Sequence, residues 1–473
     1  MILSMNGGGE QNVVVSGTGL VYDWGAGTSG QLGNGAYTST SVPQLVALPV
    51  TAKQVAAGQL YSLALSSDGK SVYAWGDNTY GALGIGTSAI VNSDLPLQVI
   101  LPLPANVSIT SIADGGNGAF AVLSNGHVVG WGANEHGQAG QNPAIPGNTD
   151  IFTPTLIPKL ANVVQVAAGD HQTLALKSDG SVWDWGGNRY GQLGPNGPSP
   201  SYTAATYIPV QVTGLPAIAA VATGGEDSLA LDTQGHVWSW GRNGFGQLGW
   251  GTIDPSDGPH ATPQQVVGLS NIVSIDGEGP ATLAADAFGN VYAWGFNTQG
   301  EVGNGTTTNI GTPQLVLTLP TSPDPYGPSV QVSAGHWFSY AFNAVTGQTF
   351  SWGKNTYGEL GFTANNVPNT LPTDITSALR GLNATAQGMT FLASSSSGTQ
   401  AMAAINAGDA PGAAALQGLY SDLQGALPTM VVTDSGYDPM AGIDNGIGMT
   451  ASYAASLLNN IASALPPETL MHG

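Results

Sequence analysis

Residues 182–196 read VWDWGGNRYGQLGPN, and variants of this phrase occur six more times along the chain. They are VYDWGAGTSGQLGNG at 21–35, VYAWGDNTYGALGIG at 72–86, VVGWGANEHGQAGQN at 128–142, VWSWGRNGFGQLGWG at 237–251, VYAWGFNTQGEVGNG at 291–305 and TFSWGKNTYGELGFT at 349–363. Each copy is anchored by one tryptophan: Trp24, Trp75, Trp131, Trp185, Trp240, Trp294 and Trp352, which lie 51, 56, 54, 55, 54 and 58 residues apart. A period this regular marks a repeat architecture. A second block precedes the phrase, as in QVAAGQLYSLALSSDG ending at Gly69 and QVAAGDHQTLALKSDG ending at Gly180. A third follows it, as Pro-Gln-Leu-Val at Pro43 and Pro313 and Pro-Val-Gln-Val at Pro209. Each unit therefore offers four short β-type runs separated by Gly, Asp-Gly and Asn-rich turns. Four strands repeated seven times predict an all-β, seven-bladed β-propeller.

Alternation within a strand places both aromatics of VWSWG or VYAWG on one face, so a tryptophan from every copy can fill the gap between blades. Glycines of the phrase are expected to supply positive φ or close backbone approach, and its asparagines to tolerate the left-handed region. Taken together, WGxNxxGQLGxG and the preceding VAAGxxxxLAL with its Asp-Gly resemble the repeat of the regulator of chromosome condensation family over residues 1 to about 375. That resemblance implies a seven-bladed propeller. Functionally it implies less, because the family includes exchange factors for a small GTPase, β-lactamase inhibitors and scaffolds.

The repeat is imperfect in three places. Gly27 stands where the other copies have Asn78, Asn134, Asn188, Asn243, Asn297 and Asn355, and reads as an adaptation to ring closure. Residues 375–406 keep a strand rhythm without Trp-Gly, and are expected to close the ring beside the first copy, an eighth blade being the alternative. The propeller then spans residues 1–406. Residues 407–473 form a small helical extension, with Leu416, Leu419, Tyr420, Leu423 and Leu427 on one helical face and Tyr453, Leu457, Leu458, Ile461 and Leu465 on another. Those helices pack on the propeller or join subunits of a homo-oligomer.

The net charge of −21 arises because Lys and Arg together number only 8 against 29 acidic residues. Without basic patches, binding to nucleic acid or anionic lipid has no electrostatic source, and no apolar run is long enough to cross a membrane as a helix. There is no cysteine, hence no disulfide and no thiolate metal site. The start, MILSMNGGGEQN, lacks the charged and apolar segments of a secretory signal. A surface so poor in ionisable groups is expected to change little with pH.

No nucleophile elbow, zinc-protease helix or phosphate loop is present, the glycine-rich phrases lie between strands, and the seven histidines are scattered. No catalytic residue, cofactor or metal is expected. Variation at fixed repeat positions is the better guide, because a constant framework with variable loops is how propellers present a binding face. The loop after each first strand is expected at one face near the axis. Its candidates are Tyr61, Trp337 and Phe338 as exposed aromatics, with His171 and His336, while Asp170, Glu226, Asp227 and Glu278 make the face acidic and favour a basic or neutral partner. Insertions near residues 142–155, 195–208 and 251–263 form a second candidate surface. Composition and tail point to a non-enzymatic protein-binding or structural assembly module displayed outside the cell, on a microbial envelope, filament or virion surface. Its partners would be another protein or copies of itself. The alternatives are an effector or exchange factor acting on a small GTPase, with a cytoplasmic location, and a glycan-active enzyme or lectin using Asp170 with Glu226.

Overall fold

Period-2 runs of Val, Leu, Ala and aromatics, broken every few residues by glycine turns, leave each segment able to pair only with its neighbours in sequence. The computed structural model, which describes residues 2–321 and 329–379, shows that outcome seven times over. In blade 1, β1 (Ile2–Gly7), β2 (Gln11–Ser16), β3 (Val21–Gly25) and β4 (Thr40–Leu45) form an antiparallel meander in sequence order. Six further four-stranded meanders follow, spanning Ala52–Gln98, Ile109–Leu156, Val163–Gln211, Ile218–Gln265, Ile272–Thr318 and Val330–Asp374. First strands line a central cavity of about 190 Å³. Second strands are buried along their whole length in six of the seven blades, and nearly so in the other. Outermost strands are the exposed edges. Every one carries a proline (Pro43, Pro96, Pro154, Pro209, Pro263, Pro313, Pro372), a residue that cannot donate to a further strand and so blocks edge-to-edge growth.

All seven motif tryptophans are fully buried. Each contributes about 2–3 kcal/mol by area, and each also fastens its blade to the preceding one. The indole N–H of Trp131, Trp185, Trp240, Trp294 and Trp352 donates to the carbonyl of Ala82, Gln138, Gln192, Gln247 and Glu301 at 2.6–2.8 Å. Those acceptors are one repeat position, the residue before Leu in GQLG. Trp75 departs from the pattern, lying 3.4 Å from the Asp23 carboxylate.

The motif asparagines do not adopt the left-handed backbone; among the described residues the non-glycines with positive φ are Asn106, Lys159, Asn162, Asp257 and Asn271. Their role is to hold the loop. In Asn78, Asn134, Asn188, Asn243, Asn297 and Asn355 the Oδ1 accepts from the backbone N–H five residues on at 2.9–3.2 Å, while Nδ2 donates to carbonyls on the loop's far side. Positive φ falls instead on the glycine after each tryptophan. At Gly76, with φ of 104°, a Cβ would stand 2.4 Å from the Leu60 carbonyl oxygen. Gly27 answers a local constraint, not ring closure: a Cβ there would lie 2.2 Å from the carbonyl of Thr38 in its own loop.

The ring closes by blade 7 meeting blade 1. Trp24 and Asn12 donate to the Glu359 carbonyl at 2.9 and 2.6 Å, Tyr340 donates to the same oxygen, and the Gly7 amide donates to Ser333 Oγ at 3.1 Å. All these groups lie within the blades at Ile2–Asp374, ahead of residues 375–406, the stretch expected to close the ring. That stretch opens with a helical turn at 376–379. The rest of it, both expected helices and any subunit contact through them lie outside the described residues.

Candidate functional site

The loops after the first strands emerge together at one face, tied to one another by backbone bonds: Gly9 N–H to Gly58, Gln59 to Gly116, Asp170 to Gly225 and His336 to Gly8. The loops that follow the third strands rise on the same face, since antiparallel strands return to it. Of the nine expected binding residues, Tyr61, Asp227 and Phe338 are not on the surface; each is 1% exposed. All three open a second strand and point between blades. Tyr61 donates to the Gly118 carbonyl of the next blade, Phe338 packs edge-on against Tyr340 with centroids 5.8 Å apart, and Asp227 is walled in beside Gly224. Asp170, His171, Glu226, Glu278, His336 and Trp337 are partly exposed.

The expected acidity of this face is mostly cancelled. Burial holds the Asp227 carboxyl well above the usual carboxylate range. Burial, reinforced by Asp114, Asp276 and Asp170, does the same to Glu278, whose Oε2 has no hydrogen-bond partner. Asp170 is also raised by burial, with His336 opposing the shift. Glu226 is held by Arg242, whose Nη1 donates to it at 2.9 Å, while Arg242 Nη2 reaches Asp257 at 2.9 Å. Asp257 comes from the insertion near 251–263, so that segment serves this face. Because Glu226 is committed to Arg242, it is not free to act with Asp170 as a carboxylate pair.

What the face offers instead is aromatic rings with ion-paired guanidinium and ammonium groups laid against them. A cleft of about 230 Å³ is lined by Asp170, Arg242, Phe245, Phe296, His336 and Trp337, among others. Phe296 joins Phe245 and Trp337 with centroids 4.9 and 5.4 Å apart, and His336 meets Trp337 at 4.6 Å. The Arg242 guanidinium lies 4.8 Å from the Phe245 ring and 5.0 Å from that of Tyr190. Lys354 faces Tyr357 and pairs with Glu10, and Arg189 stacks on Tyr202, which is 75% exposed. Sequence reasoning missed Arg242, Phe245, Phe296, Tyr190 and Tyr357. They occupy the variable x positions of WGxNxxG itself, where the constant glycines and asparagine drew attention away from the residues between them.

Below the face, the axial cavity holds Asp114, Asp276 and Glu278 with Asn6, Gln54 and Gln165. Gln54 and Gln165 bridge adjacent first strands through paired amide bonds to Ile112 and Val221, and Asp276 accepts from the Ala334 amide at 2.9 Å. Burial pushes Asp114 up to about 8 and Asp276 up to about 6. The interior is therefore the pH-sensitive part of a molecule whose surface has few ionisable groups. A raised carboxyl pKa means the folded chain keeps protons that the unfolded chain releases above about pH 4, so the contribution to stability is full below that and lost as pH rises through about 6 and 8. Urea midpoints are expected to fall as pH rises across this window, and Asp114→Asn to flatten the slope; a midpoint that climbs steadily across it would contradict the reading.

Residues 1–324 match the RCC1-like domain, and residues 346–386 match the regulator of chromosome condensation (RCC1) repeat. The chain belongs to the RCC1-like domain family. Among its relatives, the ultraviolet-B receptor UVR8 of Arabidopsis thaliana is 32% identical over 368 residues, covering 76% of this chain and 78% of the receptor. The human E3 ubiquitin-protein ligase HERC2 is 34% identical over 325 residues, 66% of this chain but only 6% of the ligase. Among solved structures, Saccharomyces cerevisiae Prp20p, described with its binding properties to Gsp1p and histones, superposes with a TM-score of 0.64 at 25% identity, covering 76% of this chain and 87% of that one. Yeast RCC1 (Prp20) has also been solved bound to Kap60. Another relative, the RCC1 domain-containing protein RUG3 of Arabidopsis thaliana, is mitochondrial. An ultraviolet-B receptor, a ubiquitin ligase, a mitochondrial protein and a Kap60-bound RCC1 as relatives overturn the expectation of an extracellular envelope, filament or virion module. Scarce Lys and Arg limit binding to polyanions but do not encode an address, and a chain without cysteine is equally suited to reducing and oxidising compartments.

Proposed function

We propose that this RCC1-like propeller is an intracellular protein-binding regulator, and that the partner docked on its loop face is a small GTPase whose nucleotide exchange it promotes. The observation that carries the reading is the Arg242–Phe245–Phe296–Trp337 cluster, which groups aromatic and guanidinium side chains of the kind that dominate protein interfaces around one cleft. Support for the partner class comes from the family resemblance and from Prp20p with its binding to Gsp1p. A propeller brings no hydrolytic constellation to such a task. Its part is to hold the GTPase in a conformation that grips nucleotide less well, which by linkage requires tighter binding to the nucleotide-free form.

Equilibrium binding of the full chain to a panel of small GTPases, each prepared nucleotide-free and GDP-loaded, tests this. At least one member is expected to bind at least about tenfold more tightly when nucleotide-free, a coupling of about 1.4 kcal/mol. Equal affinity for both forms across the panel, or no binding at all, would sink the proposal.

A further inference from the structure

Two histidines 35 residues apart in sequence, His136 and His171, meet at the edge of the loop face. His136 stands in the Trp-Gly loop of blade 3 and His171 in the first loop of blade 4; their ring centroids are 4.8 Å apart at an interplanar angle of 73°. Glu135 lies alongside, with its Oε1 3.7 Å from His136 Nε2. One ligand atom from each of the three can be chosen so that all lie within 4.8 Å of one another. The histidines border a pocket of about 90 Å³, ample for a single ion.

Two features separate this cluster from a pair of ordinary surface histidines. His171 Nδ1 is buried and has no hydrogen-bond partner, an unfavourable state that ligation would relieve. Nor does the framework require histidine here. The position of His136 holds Ser29, Tyr80, Tyr190, Phe245, Gln299 and Tyr357 in the other copies.

We propose that Glu135, His136 and His171 bind one divalent transition-metal ion of the zinc class, bridging the loops of blades 3 and 4. Two imidazoles and a carboxylate suit such an ion and not calcium or magnesium, and they leave a fourth position open to water or to a partner's side chain. Metal–nitrogen bonds of about 2.0–2.1 Å require the ligand atoms to approach to about 3.4 Å. The Glu135 side chain, 64% exposed, and that of His136, 33% exposed, have room to make that movement. Arg189 borders the same pocket, but its guanidinium is drawn onto the Tyr202 ring at 4.3 Å. The inference stands apart from the GTPase reading, although Glu226 lines both this pocket and the docking cleft.

Metal-stripped full chain titrated with Zn²⁺ against a chromophoric chelator, and separately with Co²⁺, tests the assignment. Saturable binding of one equivalent is expected, with the strong visible absorption of four- or five-coordinate cobalt. His136→Ala and His171→Ala are each expected to weaken Zn²⁺ at least about tenfold while leaving metal-free melting unchanged. If His171→Ala does not fold, His136→Ala, on a side chain a third exposed, decides the matter. Absence of saturable Zn²⁺ binding by the unmodified chain, or unchanged affinity in the His136 variant, would overturn it.

Discussion

Replacing Trp24 with alanine is expected to cost about 3–5 kcal/mol of folding stability, the range for deleting a fully buried tryptophan. The indole is 0% exposed at the junction where blade 7 meets blade 1, edge-on to Tyr340 with centroids 6.4 Å apart. Its N–H shares the Glu359 carbonyl with Asn12 and Tyr340, so three donors from the two ends of the ring converge on one oxygen. Trp24→Phe separates packing from hydrogen bonding. The carbonyl keeps two donors, so this change is expected to cost only about 1 kcal/mol for the lost bond plus the smaller ring's loss of contact. Urea denaturation gives both numbers through the midpoint and its slope. If Trp24→Ala and Trp24→Phe cost the same small amount, the junction is not what holds the ring shut.

Trp337→Ala is expected to weaken binding of the protein partner by at least about 2 kcal/mol, roughly thirtyfold in Kd, because a large aromatic lining a concave cluster is where interface energy concentrates. Trp337 touches His336 and Phe296, and Phe296 in turn touches Phe245 beneath the Arg242 guanidinium. Arg242→Lys should also weaken binding, since an ammonium cannot span Glu226 and Asp257 while stacking on Phe245. Phe288 supplies the control. It is 65% exposed, in the turn between the second and third strands of blade 6, and therefore on the opposite face. Phe288→Ala is expected to leave affinity unchanged. Equal losses at Trp337 and Phe288 would move the interface away from the loop face.

The fold could be read from the chain because its information is repeated. Seven tryptophans at near-constant spacing, four β-type runs per unit and glycine at each required turn leave one architecture. The binding face was legible only as a place. Tyr61 adjoins the loop in sequence, yet it alternates with Leu63 and Leu65 and so shares their buried strand face. Phe338 and Asp227 hold the same repeat position and share its fate. The acidic character expected from Glu278 and Asp227 failed for a related reason: formal charge is a property of the sequence, but ionisation depends on burial, which only the packed ring determines. Arg242 and Phe245 sit three residues apart within the phrase that revealed the fold, and nothing local shows that they converge with Phe296 and Trp337 from the next two blades. His136 and His171 likewise become neighbours only when blades 3 and 4 are set side by side.

The most direct test of the proposed role is the rate at which a small GTPase loaded with a fluorescent GDP analogue loses it in the presence of the full chain and excess unlabelled GDP. For one GTPase of the panel the chain should raise that rate at least about tenfold, equivalent to lowering the release barrier by about 1.4 kcal/mol, and Trp337→Ala should abolish most of the increase. Release rates unchanged by the chain for every GTPase in the panel would contradict it.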